Sequence, residues 1–151
     1  MGAVTYPNPD VERFIEENFI PVQFNVVEQP DVMAQFNSSW TPTLILRDPE
    51  GREHRRAEGY FDPKRFIAEM SIGLLKAAIN WQNFDAAKQR APAVLEATKG
   101  DREREPEAIY WASVADYKGS HDPANLLRGW NRILDEFPAS DWARRVEFIR
   151  Q

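Results

Sequence analysis

Few side chains in this sequence are of a type that could carry out chemistry. None of the 151 residues is cysteine, which excludes thiol redox steps, thiolate metal sites and cysteine nucleophiles within the chain. His54 and His121 are the only histidines, too few for an all-histidine zinc site, although carboxylate sites remain open. His54 is a candidate general base, but no nearby motif supplies a Ser or Cys nucleophile, so it reads as a surface residue. Neither a P-loop nor a GxGxxG sequence occurs, so phosphate cradling has no support. The sequence therefore yields no catalytic residue, no metal ligand and no cofactor, and leaves open whether the chain is an enzyme.

Three clusters could still bind something. Arg52, His54, Arg55 and Arg56 read as an anion or acidic-partner patch, or as an exposed edge strand protected by charge; the second reading is preferred. Asp101, Glu103, Glu105 and Glu107 alternate with Arg102, Arg104 and Pro106. They could hold a metal, but the interleaved arginines neutralise them, and a solvated linker is the preferred reading. Tyr110, Trp111, Tyr117, Trp130, Phe137 and Trp142 could line a groove for a partner, or simply join packed helices, which is the more usual role.

Charge and hydropathy narrow the classes further. A net charge of −5 argues against nucleic-acid binding, which needs a basic face. No apolar run approaches the roughly 18–20 residues that span a bilayer. Met1 to Pro7 has neither the basic region nor the apolar core of a signal peptide, which reads as cytoplasmic, or as periplasmic if the native start lies upstream.

The elements that must position these residues are organised around Ser39 to Asp48. Pro42 has no N–H and drives Thr41 into an extended conformation. Leu44, Ile45 and Leu46 read as a short strand buried on both faces, Asp48-Pro49-Glu50-Gly51 as a turn, and Glu53 to Tyr60 as the returning strand. Upstream, Asn8 and Pro9 open a helix carrying Val11, Phe14 and Ile15 on one face. Ile20, Val22, Phe24 and Val26 then alternate with polar residues or proline, which predicts a half-buried strand. Residues 30–36 predict a short helix. Downstream of Asp62 only helices are predicted: about 63–81, 83–98 with a kink or frayed half at Pro92, 106–118, 123–137 and 140–149. The change from mixed to all-helical character places a boundary near residue 80, giving domains of 1–80 and 81–151.

The blocks Ala3 to Val11, Asn18 to Val22, Trp40-Thr41-Pro42-Thr43-Leu44 and Asp48-Pro49-Glu50-Gly51 resemble those of bacterial thioredoxin-family proteins. The resemblance covers roughly residues 1–80. It implies an α/β fold with a partial thioredoxin-like sheet of three strands, around 20–26, 43–48 and 53–59, and a cis peptide before Pro42. It also implies that backbone groups beside Trp40, Thr41 and Pro42 pair with an extended peptide. In those relatives a Cys-x-x-Cys pair and the first strand lie just before the segment that resembles Met1–Tyr6. Without that strand, residues 20–26 must pair directly with 43–48 or leave a gap for a partner chain, and a homodimer through the unpaired edge is one outcome. Residues 81–151 resemble tetratricopeptide-type helical hairpins, on Trp111, Ala115, Leu126, Trp130, Ile133 and Pro138, with Phe84 and Ala87 as a partial copy. The combination implies a redox-inactive thioredoxin-like module that binds a protein or peptide. The alternative is the C-terminal portion of a thiol–disulfide oxidoreductase whose cysteines lie upstream.

Overall fold

A computed structural model describes all 151 residues. Helix α1 (Pro9–Asn18) starts where its capping residues place it: the Asn8 side-chain oxygen accepts from the amides of Asp10 (3.0 Å) and Val11 (3.4 Å). Pro9 fills the first helical position, where an N–H would have no partner. A short helix, α2 (Asp31–Gln35), precedes the hairpin of β1 (Thr43–Arg47) and β2 (Glu53–Glu58). The two strands run antiparallel with Leu44 opposite Ala57 and Leu46 opposite Arg55. The turn closes with the Gly51 amide donating to the Asp48 carbonyl at 2.9 Å, and Gly51 takes φ +85°, a backbone region that favours glycine.

The sheet has these two strands only, so the expected third strand over 20–26 does not form. Those residues lie outside any regular element, and Ile20 is 94% exposed. The alternation Ile20, Val22, Phe24, Val26 specifies which face a strand would bury. It cannot supply the neighbouring strand whose backbone groups would hold it in place. The expectation that β1 is buried on both faces also fails: only Leu46 is buried, while Thr43, Leu44 and Ile45 are partly exposed. One face of the hairpin is covered by a long helix, and the other meets only the segment around Phe36 and Ser38.

That long helix is α3 (Pro63–Asn80), capped by Asp62, whose carboxylate accepts from the Arg65 amide at 3.0 Å. It is buried on two sides. Phe66 and Met70 pack with Val11, Ala57 and Phe61 in one cluster. Ile72, Leu75 and Ala78 join Ala87, Val94, Ala108 and Ala115 of the following helices in another. Gly73 lets α3 close on the hairpin, since a Cβ there would lie 2.9 Å from the Arg55 Cβ and 3.1 Å from the Leu46 Cδ1.

Four more helices complete the chain: α4 (Phe84–Thr98), α5 (Arg104–Ser120), α6 (Pro123–Glu136) and α7 (Asp141–Val146), followed by a 3₁₀ turn over Glu147–Arg150. Helix α4 runs through Pro92 to its end without fraying, held by buried Ala91, Val94 and Thr98. Helix α5 begins earlier than the predicted linker allows. Asp101 accepts from the amides of Glu103 (2.9 Å) and Arg104 (3.1 Å), and Glu105 accepts from the Gly100 amide (2.7 Å). Arg104 and Glu105 thus belong to the helix, while Asp101–Glu103 form the turn that leads into it, with Asp101 satisfying its first amide. No helix is long and apolar enough to cross a membrane.

Candidate functional site

The segment singled out in the sequence lies at the surface. Trp40, Thr41 and Pro42 are all exposed, Trp40 by 65%, and the Thr41–Pro42 peptide is cis. The Thr43 hydroxyl donates to the Trp40 carbonyl at 2.6 Å, and the Gly59 amide donates to the Pro42 carbonyl at 2.8 Å. The second bond holds Gly59, just past the end of β2, alongside Pro42, and Tyr60, 57% exposed, follows it in the chain.

The open flank of β1 adjoins this patch. Pro42 and Gly59 form a hydrogen-bonded pair, and bonded and non-bonded pairs alternate along an antiparallel ladder. With the observed register, Leu44 and Leu46 bond to β2, whereas Thr43, Ile45 and Arg47 turn their amides and carbonyls away from it. No other strand pairs with them. The patch therefore combines exposed aromatic surface with a row of backbone donors and acceptors, the chemistry that recognises an extended chain.

His54 is not the surface residue the sequence suggested; it is 7% exposed. Its Nε2 lies 3.0 Å from Asp48 Oδ2, and its Nδ1 lies 3.0 Å from Asn80 Nδ2. An ionised carboxylate only accepts, so Nε2 carries the proton. Asp48 also accepts from the Arg52 amide (2.7 Å) and from Trp81 Nε1 (3.2 Å). Burial alone would raise its carboxyl pKa. The Arg52 amide, His54, Trp81 and the Arg52 charge outweigh that and hold it at about 2. No hydroxyl or thiol touches His54. The cluster clasps the hairpin turn to the end of α3 and has no nucleophile to activate.

The rest of the basic run is consumed by ion pairs. Arg55 meets Glu69 of α3 at 2.6 Å and Glu107 of α5 at 2.5 and 3.0 Å, while Arg104 reaches Glu69 at 2.5 Å. Arg56 pairs with Glu53 and donates to the Phe36 carbonyl. The expected charged edge is thus partly an interior network. His54 and Arg55 are neighbours in sequence, yet both reach α3. The irregularity opposite Leu46–Arg47 leaves His54 without a partner in the ladder, and such a bulge breaks the alternation of faces. Of the carboxylates read as linker, Glu105 pairs with Arg132 (3.1 Å) and Glu107 with Arg55. The aromatic set is half-buried and joins packed helices: Tyr110 stacks on Trp130 (5.3 Å, 9° between planes) and meets Trp111 and Trp142 at 5.1 and 4.9 Å.

Residues 1–71 match a family model, that of the thioredoxin-like domain. No curated protein and no solved structure matches the chain. The matched stretch runs from the N-terminus through α1, α2 and the hairpin into α3, so it contains the exposed Trp40-Thr41-Pro42 segment and the open flank of β1. By that match, which covers just under half of the chain, residues 1–71 are similar to the thioredoxin-like domain.

Proposed function

We propose that this chain is a non-catalytic thioredoxin-like module that binds a protein or peptide in extended conformation along Trp40, Thr41 and Pro42. The observation that carries the reading is the exposure of Trp40, Thr41 and Pro42 directly before a strand, β1, whose second flank no strand of the chain engages. No thiol is available for disulfide exchange by its own residues. On this reading residues 1–80 form the binding part and 81–151 a TPR-like helical support, joined through α3. A fluorescein-labelled peptide of alternating Val and Thr is a suitable probe, because its β-branched residues favour the extended conformation and its side chains carry no charge. Fluorescence anisotropy should show saturable binding. Trp40→Ala should weaken it about tenfold, the equivalent of roughly 1.4 kcal/mol and below the full burial value of a large apolar side chain. Binding that is indifferent to Trp40→Ala, or absent at millimolar probe, refutes the assignment.

A second reading makes the chain the C-terminal portion of a thiol–disulfide oxidoreductase. What favours it is the unpaired, alternating segment Ile20–Val26 together with the open flank of β1, which leave room for one more strand. Sequencing the DNA immediately upstream of the Met1 codon separates the two. An in-frame strand pattern ending in Cys-x-x-Cys supports the enzyme, and a stop codon supports the binding module.

A further inference from the structure

The backbone register of the hairpin specifies more than an open edge. Thr43, Ile45 and Arg47 are the residues of β1 whose amides and carbonyls point away from β2. An antiparallel strand that satisfies all three must place its own outward residues opposite them. A second β1 does so when the two are related by a two-fold axis at Ile45, which sets Ile45 against Ile45 and Thr43 against Arg47 in both directions. A register slipped by one residue would set outward groups against inward ones and lose the bonds.

We propose that two copies of this chain associate through β1 in this register, forming a continuous four-stranded sheet in the order β2, β1, β1, β2. The side chains support a second copy over an arbitrary strand. On the face away from α3, Thr43 stands opposite Glu58 and Arg47 opposite Glu53 within each hairpin. Joining the copies makes the outer rows read Glu58, Thr43, then Arg47 and Glu53 of the second copy. Each Arg47, whose Nε donates to the Gly51 carbonyl at 2.7 Å and whose guanidinium lies 5.3 Å from the centre of the Phe36 ring, shares its outer row with Glu58, one threonine between them, so each outer row carries both signs of charge. The central row reads Arg56, Ile45, Ile45, Arg56, with the like charges held apart by two apolar residues. On the face toward α3, Leu44 meets the already buried Leu46 of the second copy in both rows, which covers the partly exposed Leu44 of each copy. Nowhere in the five rows does a charge stand directly opposite a like charge. The pairing uses the open edge of the binding site described above but neither Trp40 nor Thr41, so the two can be tested apart.

Sedimentation equilibrium of the full chain should show the 17.5 kDa species giving way to one of twice that mass as concentration rises. In hydrogen exchange, Leu44 and Leu46 amides should be protected at every concentration. Those of Thr43 and Ile45 should gain protection, by about tenfold or more, only where the dimer is populated. Ile45→Lys and Ile45→Glu each put like charges on the two-fold axis, so each should remain at 17.5 kDa while keeping the far-UV circular dichroism of the parent. An equimolar mixture of the two should recover the doubled mass as a mixed dimer. A parent chain that stays monomeric to about 0.5 mM overturns the proposal, as does unchanged dimerisation of both single variants. So do outward amides whose exchange ignores concentration. The Val/Thr peptide probe, titrated into the parent and into Trp40→Ala at a concentration where sedimentation shows only the 17.5 kDa species, reports separately on the Trp40 site, so failure of one proposal does not mimic failure of the other.

Discussion

Replacing Arg55 by methionine keeps most of the aliphatic stem and removes the cation that links β2 to α3 and α5. The side chain is 11% exposed, and its partners Glu69 and Glu107 are 3% and 9% exposed. The consequences for the two carboxylates differ. Glu69 retains Arg104 at 2.5 Å, whereas Glu107 loses both of its hydrogen bonds and has no other ion-pair partner. Breaking a buried pair by removing one member costs about 3–5 kcal/mol, because the remaining charge is left desolvated and uncompensated. With a urea m-value near 2 kcal/mol/M, the unfolding midpoint should fall by about 1.5–2.5 M. The check is urea denaturation at pH 7 followed by far-UV circular dichroism. Removing Glu107 as well, as Arg55→Met with Glu107→Leu, should recover more than half of the loss, since deleting both partners leaves no orphaned charge. A single variant within about 1 kcal/mol of the parent would refute the argument. So would a double variant no more stable than the single, because the cost would then not arise from the stranded carboxylate.

Two further outcomes follow from local geometry. A Cβ at residue 129 would lie 1.7 Å from the Ser113 hydroxyl oxygen and 2.9 Å from the Ser113 Cβ, so Gly129→Ala must push α6 off α5. The overpacking cost of about 1–3 kcal/mol outweighs the helix-propensity gain of about 1 kcal/mol, and a lowered melting temperature, partly restored by Ser113→Ala, is the expected result. Asp48 titrates at about 2 in the fold against 3.8 without it, a depressed pKa. Its contribution is therefore fully present above pH 3.8 and is lost as pH falls toward 2. Asp48→Asn should flatten that acid limb of the stability–pH curve, and an unchanged limb would show that the clasp does not depend on the carboxylate charge.

The parts of this molecule that could be read in advance depend on residues three or four apart. Asn8, Asp62, Asp122 and Ser140 each cap the helix they precede, three of them followed at once by proline. The donors they satisfy lie within the next turn, so nothing distant is needed. The turn from Asp48 to Gly51 was legible for the same reason, and Trp40-Thr41-Pro42 could be marked as a surface candidate on resemblance. The closure of Gly59 on Pro42 was not legible, because it depends on hairpin register. Charge patterning misled at His54 and Arg55, where the bulge turns two consecutive residues toward the same helix.

Composition and local order thus dictate that the chain has no thiol, where most helices begin, and that a hairpin follows Pro42. Which strands find neighbours and which charges are buried are matters of long-range packing. Ile20 to Val26 has the pattern of a strand and no ladder to join, because a strand is completed by another segment's backbone and not by its own alternation. Arg55 becomes an interior residue only because Glu107, 52 positions away, arrives on α5 with a matching carboxylate.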